Sequence, residues 1–290
     1  EEEPFLYPDE EWDRDGVYSG SAYTCEDGIH YFYTGNVKLW DKDYDYIMNG
    51  REQNTIHVFS PDGKNIAYKK LVMTNDDYPV NMSKHVRDPK IYKKDGRYYM
   101  IQGGRDAESY GCALLFCSDD LEHWKWYDTV RTAKPFGYMW ECPDLFPIEY
   151  KGKNVWVLVV SMTKASEDDH CKMQYFLGDF DGEKFLCTYP SDEPRWLDEG
   201  FDNYAAVTFQ NAKDVLLMGW GMNWQYAAQT PTEGYCGQAT LARKLSLTEV
   251  DGALTLAAAP AGLEKFRHSS YPIELSLIHI SEPTRLQLIS

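Results

Sequence analysis

Short apolar runs separated by tight-turn residues recur along most of the chain, and no other sequence feature constrains the fold as strongly. Gly, Asn and Asp accept the positive φ of tight turns, so such residues between two apolar runs predict a β-hairpin. Long stretches with helical periodicity are nearly absent, so we predict an all-β fold. The predicted strand pairs are 55–59 with 66–70, 89–92 with 97–101, 145–150 with 155–161, 205–209 with 215–219, and 238–247 with 253–256, and a further strand over 29–34 follows the Asp27-Gly28 turn.

The predicted hairpins repeat at a loose interval. Their turn residues lie 68, 56 and 61 positions apart in the series Gly28, Gly96, Gly152 and Lys213. Two similar segments, 118–124 and 179–185, follow the second and third of these turns and are interpreted as blade-edge turns. A repeat of this size is typical of β-propeller blades, whereas a β-sandwich has short strands without an internal period. The pattern therefore favours a propeller.

Aromatic residues make up 15% of the chain and include 22 Tyr and 9 Trp. A flat apolar ring with a polar tip suits both β-structure and sugar-binding surfaces. We assign most of these rings to the core of a β-rich fold and only a few to a sugar site.

The net charge and the cysteine content indicate which binding partners and which cellular location to expect. The net charge of −17 repels phosphate backbones and anionic lipids, so neither nucleic acid nor a membrane is expected as a partner. No run of 18 apolar residues is present, so no transmembrane helix is predicted. The seven cysteines are odd in number and lack C-x-x-C spacing, which favours a reducing, cytoplasmic location. Secretion remains open, since a signal peptide could precede Glu1.

Arg87-Asp88-Pro89 contains the first candidate for chemistry. Proline has a fixed φ and no backbone donor, so we place Pro89 at the first position of a strand and Asp88 at the strand mouth. A rigid carboxylate in that place suits hydrogen bonding to sugar hydroxyls. A capping or turn role for Asp88 is the alternative.

Trp140-Glu141-Cys142-Pro143-Asp144 contains the second candidate. Side chains alternate in an extended chain, so Glu141 is expected to point away from Trp140 and Cys142. A carboxyl group among aromatic and thiol neighbours is partly desolvated, which suits a general acid. A salt-bridged glutamate at a blade end is the alternative.

Hydrolysis of a glycoside normally requires two carboxylates that flank the scissile bond. The sequence offers Glu141 as an acid and Asp88 as a sugar-binding carboxylate, but no obvious nucleophile. The sequence gives no support for metalloprotease, nucleotide-binding or serine-hydrolase chemistry, because it contains no H-E-x-x-H, P-loop, G-x-G-x-x-G or G-x-S-x-G motif. Asp168-Asp169-His170 is interpreted as a solvated loop, and no metal or organic cofactor is expected.

Several motifs, in family order, resemble those of glycoside hydrolase family 32, which comprises invertases, sucrose-6-phosphate hydrolases, levanases and inulinases. The resemblance extends roughly over residues 7–265. The matching segments are Tyr18-Ser19-Gly20-Ser21-Ala22, Arg87-Asp88-Pro89, 140–144, 202–205, 219–221 and 223–227. The fold implied is a five-bladed propeller with a funnel-shaped site on its axis, usually followed by a β-sandwich.

The resemblance also implies roles for individual residues. Glu141 would be the general acid/base, and Asp88 would bind fructose hydroxyls and stabilise the transition state. Substrate binding is implied for Tyr18, Ser19, Arg87 and Cys142. The implied reaction is retaining hydrolysis of β-fructofuranosides such as sucrose, sucrose 6-phosphate or fructan ends. Arg51 and Arg105 are candidates for a phosphate contact.

The sequence departs from the family pattern at both ends. The W-x-N-D-P-N-G motif, which carries the nucleophilic Asp, has no match ahead of Tyr18, so we expect most of the first blade to be missing. The C-terminal β-sandwich is also expected to be absent, with 1–274 forming a partial propeller and 275–290 a non-native tail that resembles translated sequencing adaptor. Such a piece should be inactive by itself. A non-catalytic carbohydrate-binding relic and an inverting arabinan hydrolase are the alternative interpretations.

Overall fold

The computed structural model describes residues 3–40, 45, 48–134, 136–163, 171–188 and 194–269. Within that part the regular elements are strands and two short 3-10 helices, Ala227–Gln229 and Glu264–Phe266, so the all-β prediction is confirmed. Among the described residues no helix has the length and apolar character needed to cross a bilayer. The predicted tail, 275–290, and the Asp168-Asp169-His170 segment lie outside the described residues.

The strands form four antiparallel sheets, each built from four strands that are consecutive in the chain. The first sheet contains β1 (Val17–Thr24), β2 (Ile29–Lys38), β3 (Arg51–Ser60) and β4 (Tyr68–Met73). The second contains β5 (Met82–Lys94), β6 (Arg97–Asp106), β7 (Gly111–Ser118) and β8 (Lys125–Val130). The third contains β9 (Trp140–Tyr150), β10 (Lys153–Met162), β11 (Lys172–Phe180) and β12 (Phe185–Cys187). The fourth contains β13 (Tyr204–Thr208), β14 (Leu216–Trp220), β15 (Arg243–Val250) and β16 (Ala253–Pro260).

Each unit of the predicted sequence repeat corresponds to one four-stranded sheet. Each of the four turn residues, Gly28, Gly96, Gly152 and Lys213, lies between the first and second strands of its own sheet. The blade-edge turns at 118–124 and 179–185 connect the third and fourth strands of the second and third sheets, as predicted. Meanders of this kind are propeller blades. The count of five blades stays a prediction, since the described residues form four sheets.

One predicted strand is longer than the strand observed. The strand expected over 238–247 begins at Arg243, and before it only Ala239 forms a bridge, to Trp220. The prediction extended the strand back to residue 238 on hydrophobicity alone, but residues 238–242 do not form a continuous ladder with a neighbouring strand.

The core consists of layers between successive sheets rather than one central cluster. Phe32 and Phe116 belong to the layer shared by the first two sheets, and Trp140 to the layer between the second and third. Phe146 and Leu217 belong to the layer between the third and fourth. Middle strands such as β6 and β10 are therefore buried on both faces, and they carry apolar runs instead of strict alternation.

Each sheet has a β-bulge in its first strand, where two residues oppose a single residue of the second strand. In β5, Asp88 and Pro89 together oppose the single residue Gln102, between the Arg87 and Lys90 pairs. Equivalent register shifts occur at 18–19 in β1, 142–143 in β9 and 205–206 in β13. A bulge bends the strand and re-aims the side chains beside it. The first strand of each of the four sheets is therefore bent.

Candidate active site

The bulges bring together residues from all four sheets around one cavity of about 660 Å³, which we call the central cavity. It is lined by Val17, Tyr18, Ser19, Arg51, Arg87, Asp88, Glu141, Cys142, Tyr204, Ala205, Trp220 and Trp224. All six site residues predicted from the sequence are among them. Residues separated by more than 120 positions in the chain thus share one solvent-filled space.

Asp88 occupies the bulged position of β5 with a φ of 63°. Its backbone N–H donates to Thr34 Oγ1 at 3.0 Å, and its Oδ2 accepts the Cys142 N–H at 2.8 Å. The prediction that Pro89 begins a strand is wrong, because β5 starts earlier, at Met82. A bulge leaves a residue outside the hydrogen-bonded ladder, so proline is tolerated there without the loss of a strand bond.

Glu141 points into the central cavity, whereas its neighbour Trp140 is fully buried in the core with its indole N–H donating to Phe136 O at 2.8 Å. That half of the alternation prediction is confirmed. The other half is wrong, since Cys142 lines the same cavity as Glu141. The φ of 45° at Cys142 breaks the alternation of an extended strand at this point.

The carboxyl group of Glu141 is held from two other sheets. Arg87 Nη2 donates to Oε1 at 2.5 Å, and the Tyr204 hydroxyl donates to Oε2. The side chains of Arg87 and Glu141 are 14% and 17% exposed, so the pair is shielded from bulk water but open to the cavity. A partly desolvated ion pair of this kind is rigid, so its geometry is fixed in the absence of a ligand.

Burial and charge perturb the ionisable groups around Glu141. Burial, with a smaller contribution from the charge of Glu141, raises the pKa of Asp88 to about 6, although Arg87 opposes the shift. Burial alone would lower the pKa of Arg87, but the carboxylates of Glu141 and Asp88 outweigh it and raise that pKa. A buried carboxyl group with a raised pKa beside a charged partner in a cleft is typical of functional sites.

Two neutral donors complete this environment. Burial and the charge of Glu141 hold the pKa of Tyr204 well above its usual value of 10.0. Burial and the charge of Asp88 do the same for the Cys142 thiol, whose Sγ lies 3.6 Å from Asp88 Oδ2. Both groups therefore keep their protons at neutral pH and act as hydrogen-bond donors to the carboxylates.

Sequence reasoning missed several side chains of the cavity. Tyr204, Trp220 and Trp224 lie in segments that were noted for their resemblance, but none was assigned a role. The ring centres of Trp220 and Trp224 lie 5.0 Å apart in an edge-to-face arrangement, and Trp224 is 61% exposed. An exposed indole that lines the cavity offers a flat face to a sugar ring. The sequence feature that could have indicated the two tryptophans is their position beside and shortly after Gly219 and Gly221.

A second cavity of about 430 Å³, which we call the side cavity, adjoins the central one. It is lined by His85, Arg87, Arg105, Tyr138, Met139, Glu141, Thr163, Cys171 and Trp224. The two arginines considered for a phosphate contact therefore lie in different cavities. Arg105 lines the side cavity, while Arg51 lines the central cavity and is almost fully buried.

One cluster within the described ranges has metal-ligand chemistry, although no metal site was predicted. Ligand atoms of Cys25, Asp27 and His30 lie within 4.8 Å of one another beside the β1–β2 turn. The ring nitrogens of His30 already contact His57 Nε2 at 2.8 Å and Asp27 Oδ1 at 3.4 Å. The cluster lies at the end of β1 opposite the bulge, so it is not part of the central cavity.

With the geometry established, comparison with known proteins identifies the family. A profile of the glycosyl hydrolases family 32 N-terminal domain matches residues 1–259. The chain belongs to glycosyl hydrolase family 32. Relatives include the sucrose-6-phosphate hydrolase of Klebsiella pneumoniae, 34% identical over 266 residues, which covers 83% of this chain and 51% of the relative. The levanase of Bacillus subtilis is 31% identical over 252 residues and covers 83% of this chain and 36% of that protein.

Solved structures of family 32 proteins share the fold. The fructofuranosidase of Schwanniomyces occidentalis complexed with fructose aligns with a TM-score of 0.70 at 27% identity, over 86% of this chain and 50% of that one. The sucrose-6-phosphate hydrolase of Lactobacillus gasseri aligns with a TM-score of 0.69 at 25% identity, over 91% of this chain and 53% of that one. The chain of this family 32 member thus spans about half the length of the relatives it matches.

Proposed function

We propose that the intact protein containing this chain is a retaining hydrolase of β-fructofuranosides, with sucrose or sucrose 6-phosphate as substrate. One observation carries the proposal. Glu141, with both carboxyl oxygens held by Arg87 and Tyr204, faces the same cavity as the buried carboxylate of Asp88. An oriented acid supplies one of the two carboxyl groups that glycoside hydrolysis requires, and the neighbouring carboxylate of Asp88 suits the binding of sugar hydroxyls.

In the proposed mechanism, Glu141 protonates the oxygen of the leaving sugar and later removes a proton from the incoming water. Proton transfer of this kind requires a carboxyl group that can gain and lose a proton without moving. The hydrogen bonds from Arg87 and Tyr204 fix its position through both steps.

Asp88 binds fructose hydroxyls in this proposal. Positive charge develops on the fructosyl ring as the bond breaks, and hydrogen bonds to a nearby carboxylate strengthen at that stage. The Cys142 N–H and the Thr34 hydroxyl hold Asp88 in place, so it can act without rearrangement. Tyr18 and Ser19 of β1 complete the fructosyl side of the cavity.

The nucleophile is proposed to come from residues other than those described. Asp88 and Glu141 are the only carboxylates lining the central cavity within the described ranges. A retaining mechanism needs a further carboxylate to attack the anomeric carbon while Asp88 binds hydroxyls. We therefore expect the 290-residue chain by itself to release no fructose from sucrose.

The relatives support a sugar substrate without deciding which one. Sucrose-6-phosphate hydrolases and a levanase are among the curated relatives, and a related structure holds fructose. We propose a cytoplasmic location because all seven cysteines are free and scattered through the fold. Cell fractionation with an antibody against the intact protein tests that location.

The test of the proposed function is an assay of the intact protein on sucrose and sucrose 6-phosphate. We expect release of fructose, with β-fructofuranose as the first anomer seen by NMR, since double displacement retains configuration. Binding of fructose by calorimetry without hydrolysis of either sugar would instead support a carbohydrate-binding propeller. The isolated chain is the matched control, and hydrolysis by it would show that the nucleophile lies within these residues.

A further inference from the structure

A third cavity, of about 740 Å³, lies beside the turn between β1 and β2, and we call it the turn cavity. It has no lining residue in common with the central cavity or the side cavity. Cys25, Asp27 and His30 line it, and their ligand atoms all lie within 4.8 Å of one another. A thiol, a carboxylate and an imidazole are the three kinds of side chain that bind zinc in proteins.

The three side chains come from one tight turn and the start of the strand that follows it. The Cys25 N–H donates to Gly28 O at 2.8 Å, which closes the turn, and Gly28 has a φ of 148°. A Cβ at position 28 would lie 2.5 Å from Ser60 O, so glycine is needed for the turn to pack against the end of β3. The turn thereby places Cys25 and Asp27 next to His30, the second residue of β2.

His30 is held in place from behind. It is almost fully buried, and its Nδ1 lies 2.8 Å from Nε2 of His57, which is itself buried and stacks on Phe32 with ring centres 4.4 Å apart. A ligating histidine normally uses its second ring nitrogen for a hydrogen bond that fixes the orientation of the ring. His57 supplies that contact, so Nε2 of His30 is the nitrogen that faces Asp27.

The spacing of the ligand atoms suits a tetrahedral ion. His30 Nε2 and Asp27 Oδ1 are 3.4 Å apart, which is long for a hydrogen bond. Two such atoms that each bind one Zn²⁺ at about 2.0 to 2.1 Å are separated by about 3.3 Å. Asp27 is exposed and Cys25 is half-buried, so rotation of these two side chains can complete the shell, with water from the cavity in the fourth position.

The charge of the turn cavity also favours a cation. Among the described residues its lining contains four carboxylates and one ammonium group, those of Glu26, Asp27, Asp119, Asp120 and Lys93. Arg97 pairs with Asp119 at 2.8 Å, but the sum of these charges remains negative. Calcium and magnesium prefer shells of six or more oxygen ligands, so the sulfur and nitrogen donors favour zinc over either ion.

We propose that Cys25, Asp27 and His30 form a zinc site that fastens the β1–β2 turn to the first sheet. The Cys25 thiol releases its proton to solvent when the ion binds, and no group is oxidised or reduced. The site is independent of the hydrolase function proposed above, because it lies at the end of β1 opposite the bulge that carries Tyr18 and Ser19.

The first test is titration of the intact protein with Co²⁺ under reducing conditions. A cobalt–thiolate bond gives a charge-transfer absorption in the near ultraviolet that carboxylate and imidazole ligands do not give. We expect Cys25→Ser to lose this absorption and Cys236→Ser, the matched variant at an exposed free cysteine, to keep it. Addition of Zn²⁺ should abolish it in wild type. An absorption of equal intensity in wild type and Cys25→Ser overturns the site.

Calorimetry with Zn²⁺ tests the ligand set without reference to activity. Cys25→Ser and Asp27→Asn should each weaken Zn²⁺ binding by at least about tenfold. Glu26→Gln, at the exposed carboxylate between them, is the control and should stay within about threefold of wild type. Absence of stoichiometric Zn²⁺ binding by wild type, or equal affinity in wild type and both ligand variants, overturns the proposal. Loss of the hydrolase function would change none of these results.

Discussion

Tyr204 of β13 donates a hydrogen bond to Oε2 of Glu141 in β9, so the fourth sheet orients the candidate acid of the third. Arg87 of the second sheet holds the other oxygen at 2.5 Å. The orientation of one carboxyl group thus depends on three separate sheets. Relative movement of the blades would therefore disturb the position of this carboxyl group.

Tyr204→Phe removes the donor and keeps the ring. In the intact protein we expect kcat on sucrose to fall about tenfold or more, because hydrogen bonds to charged groups are among the strong ones. KM should change little, since the fructosyl contacts at Asp88 are untouched. Steady-state kinetics measure both values, and Tyr235→Phe, an exposed tyrosine, is the control. A kcat within twofold of wild type would show that the hydrogen bond has no part in the reaction.

Asp88→Asn should make the protein more stable while it lowers activity. The pKa of Asp88 is raised to about 6 in the folded state from 3.8, chiefly by burial, so the folded state resists ionisation. The resulting penalty is fully present above pH 6 and disappears as the pH falls through 6 towards 3.8. At pH 7 to 8 the variant should gain about 1 to 2 kcal/mol of unfolding free energy, with little gain near pH 4.

Denaturant unfolding at both pH values measures that gain. Asp95→Asn is the control, because Asp95 is exposed and also has a positive φ, 50°. A destabilised Asp88→Asn protein at pH 8, or a gain that persists at pH 4, would contradict a penalty caused by ionisation of a buried carboxyl group.

Replacement of Asp144, the residue directly after the bulge of β9, should have the opposite effect on stability. Its Oδ2 accepts from the Thr208 N–H at 2.7 Å and the Thr208 hydroxyl at 2.6 Å, and Lys90 Nζ lies at 3.5 Å. Asp144 therefore joins the second, third and fourth sheets. Asp144→Ala should cost about 3 to 5 kcal/mol, since it leaves the buried ammonium of Lys90 hydrogen-bonded to Thr208 O but without the charge of Asp144.

Asp144→Asn keeps the shape and one acceptor oxygen, so a smaller loss is expected than for Asp144→Ala. Both variants are compared by denaturant unfolding with Asp119→Ala at an exposed position of the second sheet. If Asp144→Ala unfolds at the same denaturant concentration as Asp119→Ala, the junction of the three sheets does not depend on this carboxylate.

The hairpins could be predicted from the sequence because their signal is local. Gly96 and Gly152 have positive φ, and each turn lies between apolar runs whose length suits a strand. The period of the turns also indicated one sheet per repeat. The central cavity contains all six predicted residues because the motifs that carry them flank the bulges.

The bulges could not be predicted in the same way. A bulge depends on which residues pair across two strands, and the pattern of one strand does not record that pairing. The sequence predicts an extended chain at Cys142, and a residue before proline normally avoids helical conformations, yet Asp88 and Cys142 both have positive φ. The contact of Tyr204 with Glu141 joins residues 63 positions apart, and nothing local in the sequence indicates it.

The most direct test of the account is the kcat of Glu141→Gln in the intact protein. Gln keeps the size of the side chain but cannot donate or remove the proton, so we expect kcat on sucrose to fall by about 100- to 10,000-fold while the fold is retained. Glu149→Gln, at an exposed position of the same strand, is the control and should match wild type. A Glu141→Gln protein whose kcat stays within threefold of wild type would contradict the assignment of Glu141 as the acid.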